Sequence, residues 1–154
     1  MNPFQVCVAA LGRMCLSLIF ILASFNKILD WNGTEQSIVS KLNELMNYTV
    51  GMEWVTEAIQ FVLPWPALLV ACAVAFELLG GLLIFLGLKV RMGAFLLAIF
   101  LIPTTLLFHH FWFLQGSDRE LQMIMFLKNL SIFGGLLVIL GLGKGSSKAA
   151  AIPK

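Results

Sequence analysis

Few side chains in this sequence could do chemistry, and several of them stand inside long apolar stretches. Arg13, Glu77 and Lys128 each lie deep within one of these apolar stretches. A charge at the centre of a membrane-spanning helix costs about 2.5–3.5 kcal/mol on insertion scales, so such residues pair, face the protein interior or line a wet cavity. These three residues are therefore the first indicators of a structural clamp or a functional site.

Arg13 and Glu77 are predicted to form an intramembrane ion pair. Arg13 lies about 14 Å along a helix from Phe4, and Glu77 about 17 Å from Leu88, at 1.5 Å per residue. On antiparallel helices these depths are comparable, and a guanidinium matches a carboxylate well. Two interpretations stay open: a structural clamp between the first two helices, and a ligand or proton site.

A second group of polar residues is predicted to meet at one level toward the outer side of the membrane. Lysine, histidine and asparagine from three helices would form a positive, hydrogen-bonding pocket suited to a quinone carbonyl, an oxyanion or an acidic headgroup. The alternatives are that Lys27 extends to water and that a histidine is satisfied at the interface. The ligand-pocket candidates are Asn26, Lys27, His109, His110, Trp112, Lys128 and Asn129.

No metal site is predicted. Adjacent residues on a helix diverge by about 100°, so His109 and His110 cannot both face one ion. Cys7, Cys15 and Cys72 lie in apolar stretches without a CxxC spacing, which favours thiols that are buried inside the protein and pack as small hydrophobic residues. No catalytic residue is assigned.

The elements that must position these residues are membrane helices. The 154 residues are 60% hydrophobic and 12% charged, with a mean hydropathy of +0.94, whereas soluble domains are about 45–50% apolar and about 25% charged. This composition excludes a water-soluble enzyme, and a net charge of +2 does not predict nucleic-acid binding. A bilayer span needs about 20 apolar residues.

Four apolar windows predict an all-α polytopic membrane protein, an antiparallel four-transmembrane-helix bundle. We expect one transmembrane domain over 1–148 and a flexible cytoplasmic tail over 149–154. The predicted helices cover about 4–29, 61–88, 92–114 and 121–143.

The long connection between the first two windows, Asp30 to Gln60, is predicted to form one or two amphipathic helices on the outer surface. Ile38, Leu42, Leu45 and Met46 recur there at helical spacing, which indicates one apolar face. That face would cap the bundle, with docking of a partner protein as the alternative.

The distribution of basic residues predicts that both termini are cytoplasmic. Lys89 and Arg91 lie in the short turn between the second and third windows, and Lys144, Lys148 and Lys154 follow the last window. The opposite side carries mainly acidic residues, and lysine and arginine are retained on the cytoplasmic side of membrane proteins.

Several segments together resemble the DoxX family of small four-helix membrane proteins, although no single motif is specific. Ser24 stands where the family often has glycine. The resemblance covers nearly the whole chain except the outer loop and the tail. It rests on Gly12-Arg13, Ser24 to Lys27, Phe76 to Gly81 with Gly87, Arg91, His109 to Trp112, Phe126 to Leu130 and Gly134-Gly135.

The resemblance implies an inner-membrane location and an association with redox or oxidative-stress chemistry. Relatives include the DoxD-type membrane subunit of a thiosulfate:quinone oxidoreductase, so the implied role is a quinone-interacting subunit, with quinone as the candidate cofactor. The rival hypotheses are a non-enzymatic scaffold or assembly factor that docks partners through the outer loop, and a small transporter. Homo-oligomerisation is left open.

Overall fold

The computed structural model describes residues 2–142, and over that range it contains six α-helices and no strand. The all-α prediction is confirmed. The helices are α1 (Pro3–Leu29), α2 (Trp31–Tyr48), α3 (Glu53–Val62), α4 (Pro66–Phe85), α5 (Val90–Phe108) and α6 (Gly116–Leu142), with a short 3₁₀ helix (Phe111–Phe113) between the last two.

Four of these helices are long and apolar enough to cross a membrane, which confirms the polytopic prediction. They are α1, α4, α5 together with the following 3₁₀ turn, and α6. Large apolar side chains such as Leu22, Phe95 and Leu130 are exposed on their outer faces. Such surfaces suit lipid hydrocarbon, which makes the bilayer the environment of the chain.

The helix boundaries differ from the apolar windows where proline or polar residues intervene. α4 begins at Pro66 rather than at Phe61, because Phe61 belongs to α3 and proline suits the first turn of a helix. α6 begins earlier, at Gly116, and holds the acidic Asp118 in its first turn, where the helix dipole favours it. The predicted flexible tail, 149–154, lies outside the described residues.

The four spanning helices are antiparallel neighbours in the order α1, α4, α5, α6. α4 and α5 approach closely at two glycines, since a Cβ on Gly80 would lie 3.0 Å from the backbone oxygen of Gly93. Another side of α4 approaches α1, because a Cβ on Gly81 would lie 2.9 Å from the Ile21 side chain. Glycine thus permits these close contacts.

One apolar core holds the bundle together near the turn between α4 and α5. All four spanning helices contribute to it, and its side chains are almost fully shielded. It comprises Phe20, Ile84, Val90, Ala94, Leu97, Ala98, Leu101 and Leu136.

The segment predicted to be amphipathic forms α2 and α3, which pack on one end of the bundle. Ile38 and Leu42 on α2 and Ile59 on α3 are buried against Val70 of α4. Leu45 and Met46 pack against the same cluster, so the predicted apolar face is the packed face. We refer below to this end as the α2–α3 end, and to the other, at residues 86–89, as the α4–α5 turn end.

Candidate functional site

An ion pair joins α1 to the middle of α4. The ammonium nitrogen of Lys27 lies 3.0 Å from Oε1 of Glu77 and 2.8 Å from Oε2. The Glu77 side chain is 5% exposed and that of Lys27 is 24% exposed. Removing one partner of a buried pair leaves an uncompensated charge, so this contact fixes the position of α1 along α4.

The structure corrects the predicted Arg13–Glu77 pair, because the partner of Glu77 is Lys27. Arg13 instead lies beside Gly87, where a Cβ would be 3.4 Å from the guanidinium Nη2. The depth estimates assumed that the two helices start level at Phe4 and Leu88. In the structure α1 is displaced along α4 toward the α4–α5 turn. This displacement places Arg13 at that turn and Lys27 beside Glu77.

Lys27 also lines a groove of about 620 Å³ between the end of α1, the start of α2 and the facing sides of α4 and α5. The groove is largely apolar, with Phe76 and Phe100 among its walls, and its polar residues are Lys27, Asp30, Thr34, Ser37 and Thr104. Most pockets that bind small molecules combine an apolar lining with a few polar groups in the same way.

The groove opens sideways from the bundle. Its wall residues Cys72, Ile99 and Pro103 are exposed on the outer faces of α4 and α5, where hydrocarbon would lie.

The three cysteines are not buried. Cys7 and Cys15, like Cys72, are exposed free thiols. The prediction that the cysteines pack inside the protein is therefore wrong.

At the α2–α3 end, His110 is 1% exposed and connects three elements. Its Nδ1 lies 2.8 Å from the carbonyl oxygen of Leu107, and its Nε2 lies 3.2 Å from Oε1 of Glu44 on α2. The Leu107 carbonyl is in the last turn of α5, where helical carbonyls lack intrahelical partners. His110 therefore caps α5 and attaches α2 to it.

Glu44 has a second partner, Lys41, whose ammonium lies 2.6 Å from Oε2. The hydrogen bond from Lys41 has the largest effect and lowers the pKa of Glu44 below its usual value. Partial burial raises the pKa by less than that, and the hydrogen bond with His110 lowers it further. The Glu44 carboxylate thus stays ionised between the two side chains.

Two hydrogen bonds tie α6 to the end of α5. Nδ1 of His109 lies 2.7 Å from Oε1 of Gln122, and the Asn129 amide donates to Thr105 Oγ1 at 3.0 Å. Thr105 and Asn129 also line a small apolar groove of about 200 Å³ between the two helices. These bonds align the two helices.

The predicted pocket residues do not converge on one site, which corrects that prediction. Lys27 lies in the large groove, whereas His110 is enclosed beneath α2 and the side chains of His109 and Asn129 hydrogen-bond across the α5–α6 contact. The other three, Asn26, Trp112 and Lys128, are exposed.

Sequence reasoning missed the groove residues supplied by α2. Asp30, Thr34 and Ser37 belong to the segment that was predicted to cap the bundle or to dock a partner protein, not to line a pocket. In the structure the Asp30 carboxylate accepts a hydrogen bond from the Gly33 amide and begins α2. Aspartate is a preferred N-cap residue, since its side chain can accept a hydrogen bond from the backbone amide three residues later. Asp30 fits this pattern, which could have located the start of α2. Over residues 2–142, no cluster of three or more His, Cys, Asp or Glu could hold a metal ion.

The fold and the groove define a class: a polytopic four-helix membrane protein with a lateral, largely apolar groove. The DoxX family model matches residues 8–110, and the chain belongs to the DoxX family.

Two curated relatives are similar over most of their length. Inner membrane protein YphA of Escherichia coli K12 is 30% identical over 136 residues, which covers 88% of this chain and 83% of the relative. Inner membrane protein YqjF of the same strain is 29% identical over 135 residues, with the same two shares. No solved structure matches.

Proposed function

We propose that this DoxX-family protein resides in the inner membrane and binds a quinone-type lipid, as a membrane subunit serving the redox chemistry of a partner oxidoreductase. The observation that carries the proposal is the lateral groove with Lys27 at its polar end. The inner-membrane location is supported by the names of the two relatives.

The dimensions and lining of the groove support an amphiphilic ligand. Its volume of about 620 Å³ falls within the range of roughly 300–1,000 Å³ found for ligand pockets. Phe76, Phe100 and Leu107 offer apolar contact to a ring and an isoprenoid chain. Because the groove opens toward hydrocarbon, such a lipid would enter from the bilayer without crossing water.

Lys27 is the group proposed to bind the quinone head. A lysine ammonium carries three N–H donors, and the two Glu77 oxygens engage at most two of them. The remaining donor is available to a quinone carbonyl in the groove. Ser37, on the α2 side of the groove, offers a hydroxyl to the same region.

Cys72 allows a direct test because its thiol is exposed in the groove wall. In a variant in which Cys7 and Cys15 are replaced by alanine, a lipid-soluble maleimide should label Cys72. A saturating amount of a fully substituted short-chain ubiquinone should slow that labelling severalfold. An alkane-chain amphiphile lacking the quinone head should not. Equal labelling rates with and without the ubiquinone would refute the proposal.

The orientation is part of the proposal, with both termini and the α4–α5 turn in the cytoplasm. Lys89 and Arg91 at that turn support it, because basic residues are enriched on the cytoplasmic side. In an otherwise cysteine-free chain, an impermeant thiol reagent added to intact cells should label Glu57→Cys and spare Leu88→Cys. The reverse pattern would invert the orientation.

A second candidate function, a scaffold or assembly factor, is favoured by a separate observation on α3. Trp54 and Phe61 are 74% and 79% exposed, whereas Ile59 on another side of this helix is buried. An exposed aromatic pair of this kind suits either a partner protein or the membrane interface. Photocrosslinking from position 54 should recover one reproducible protein, a second copy of this chain included. Recovery of lipid alone would refute the scaffold.

A further inference from the structure

Arg13 lies at the α4–α5 turn end without a carboxylate partner. Its Nε is buried and has no hydrogen-bond partner, and its Nη atoms lie over Gly87. Within residues 2–142 the lysine, arginine and histidine side chains in ion pairs are Lys27, Lys41 and His110. The guanidinium is therefore left without a counter-charge from the described part of the chain.

The sequence offers no aspartate or glutamate for this position. All eight acidic residues are Asp30, Glu35, Glu44, Glu53, Glu57, Glu77, Asp118 and Glu120. Glu77 is the one that lies within α4, and Lys27 engages both of its oxygens. The others lie between α1 and α4 or in the first turns of α6, toward the α2–α3 end.

Further positive groups surround the same turn. Lys89 is exposed and precedes α5, whose N-terminus has no side-chain cap. Arg91 donates a hydrogen bond of 3.1 Å to the carbonyl oxygen of Gly141 at the end of α6. A helix N-terminus with free N–H groups attracts anions. Gly87, which lies beside Arg13, is two residues before Lys89 and three before the first residue of α5. We refer to Arg13, Lys89 and the start of α5 as the positive site.

We propose that this positive site binds the phosphate group of an anionic phospholipid. Phosphate provides several oxygens for a guanidinium and an ammonium at once. In a bilayer, lipid headgroups lie where spanning helices end, as α4 and α5 do here. The bound lipid would join α1 to the α4–α5 turn, a role independent of the groove and of quinone binding.

The experiment measures thermal unfolding of the purified protein in a neutral detergent, followed by tryptophan fluorescence. Added phosphatidylglycerol should raise the unfolding temperature, because a ligand that binds only the folded state stabilises it. Phosphatidylcholine at the same concentration should have a much smaller effect. Inorganic phosphate tests whether the ligand is free phosphate and not a lipid headgroup. If inorganic phosphate stabilises the protein as much as phosphatidylglycerol does, the assignment to a lipid is overturned.

Arg13→Gln removes the central charge and should weaken apparent phosphatidylglycerol binding about fivefold, since a basic residue near an anionic membrane surface contributes about 1 kcal/mol. The matched control is Arg119→Gln, which removes an exposed arginine near the start of α6, at the α2–α3 end. This variant should respond to phosphatidylglycerol like the wild type. An equal loss in both variants would overturn the site.

Lys89→Gly keeps the test informative if Arg13→Gln does not fold. Lys89 has a left-handed backbone with φ of +41°, which glycine adopts without strain. This variant should fold at least as well as the wild type and yet respond less to phosphatidylglycerol. If Arg13→Gln folds, a response to phosphatidylglycerol that is undiminished in both variants would overturn the proposal. If Arg13→Gln does not fold, an undiminished response in Lys89→Gly alone would overturn it.

Discussion

Lys27 near the end of α1 and Glu77 in the middle of α4 meet with both carboxylate oxygens within 3.0 Å of the ammonium nitrogen. This contact fixes the position of α1 along α4, and at that position Arg13 lies beside Gly87 at the α4–α5 turn. The same lysine lines the groove. A single ion pair thus links the register of the bundle to the candidate site.

The first prediction concerns the identity of the pair. Lys27→Gln should destabilise the protein by about 3 kcal/mol, because it leaves the buried Glu77 charge without its partner. Glu77→Gln should cost less, because the Lys27 side chain that it leaves unpaired is 24% exposed. The double variant should be much less destabilised than the sum. Unfolding in mixed micelles measures these differences.

Arg13→Gln combined with Glu77→Gln is the control, and its effects should add within about 0.5 kcal/mol, as for residues that do not touch. A larger coupling for Arg13 with Glu77 than for Lys27 with Glu77 would contradict the pairing described here.

A second prediction tests the close approach of α4 and α5. Gly80→Ala should destabilise the fold by about 1–3 kcal/mol, the usual cost of overpacking, since the new Cβ would lie 2.8 Å from the Leu97 side chain. Gly134→Ala is the matched control, because a Cβ there meets nothing within 4 Å. It should be neutral or mildly stabilising. Equal losses in both would refute the packing argument.

A third prediction is a pH dependence centred on Glu44. Since its pKa in the folded protein is below the usual value of 4.5, its ion pairs stabilise the fold above the unfolded pKa. That stabilisation is lost as the pH falls through the folded pKa. The stability difference between wild type and Glu44→Gln should therefore be constant near neutral pH and shrink in acid. A difference that grows on acidification would contradict this sign.

A fourth prediction separates Lys128 from the site. Its side chain is exposed on α6, so Lys128→Leu should leave ubiquinone protection of Cys72 unchanged. Loss of protection in Lys128→Leu would return that lysine to the binding site.

The neighbouring residue Asn129 has a structural role instead. Asn129→Leu removes the hydrogen bond to Thr105 and should cost about 0.6 kcal/mol in stability, the average for such bonds in a membrane protein.

The sequence was sufficient to predict the helices that span and the face of α2 that packs. Apolar length is enough for the first, and the spacing of Ile38 and Leu42 for the second. It could not predict the ion pair, because the axial offset between α1 and α4 depends on contacts that form only in the folded bundle, among them the close approach of Gly81 to Ile21. Window lengths do not record that offset.

The direction in which Lys128 faces was also beyond the sequence. α6 is apolar over most of its circumference, so no stripe distinguishes an inward side, and one residue changes the direction by about 100°. Asn129, the next residue, turns toward Thr105 instead. The polar residues of the groove were missed for a related reason, since Ser37 and Thr104 come from separate elements that only the fold brings together.

The most direct test of groove binding fills the groove without touching the ion pair. Ala73 lines the groove, whereas Ala75 on the same helix is exposed and lies outside its lining. Equilibrium binding of a short-chain ubiquinone to the purified protein in lipid nanodiscs is measured for Ala73→Phe and Ala75→Phe. We expect Ala73→Phe to bind at least about tenfold more weakly, a loss of about 1.4 kcal/mol, and Ala75→Phe to bind like the wild type. Undiminished binding by a folded Ala73→Phe variant would contradict the proposal that the groove is the quinone site.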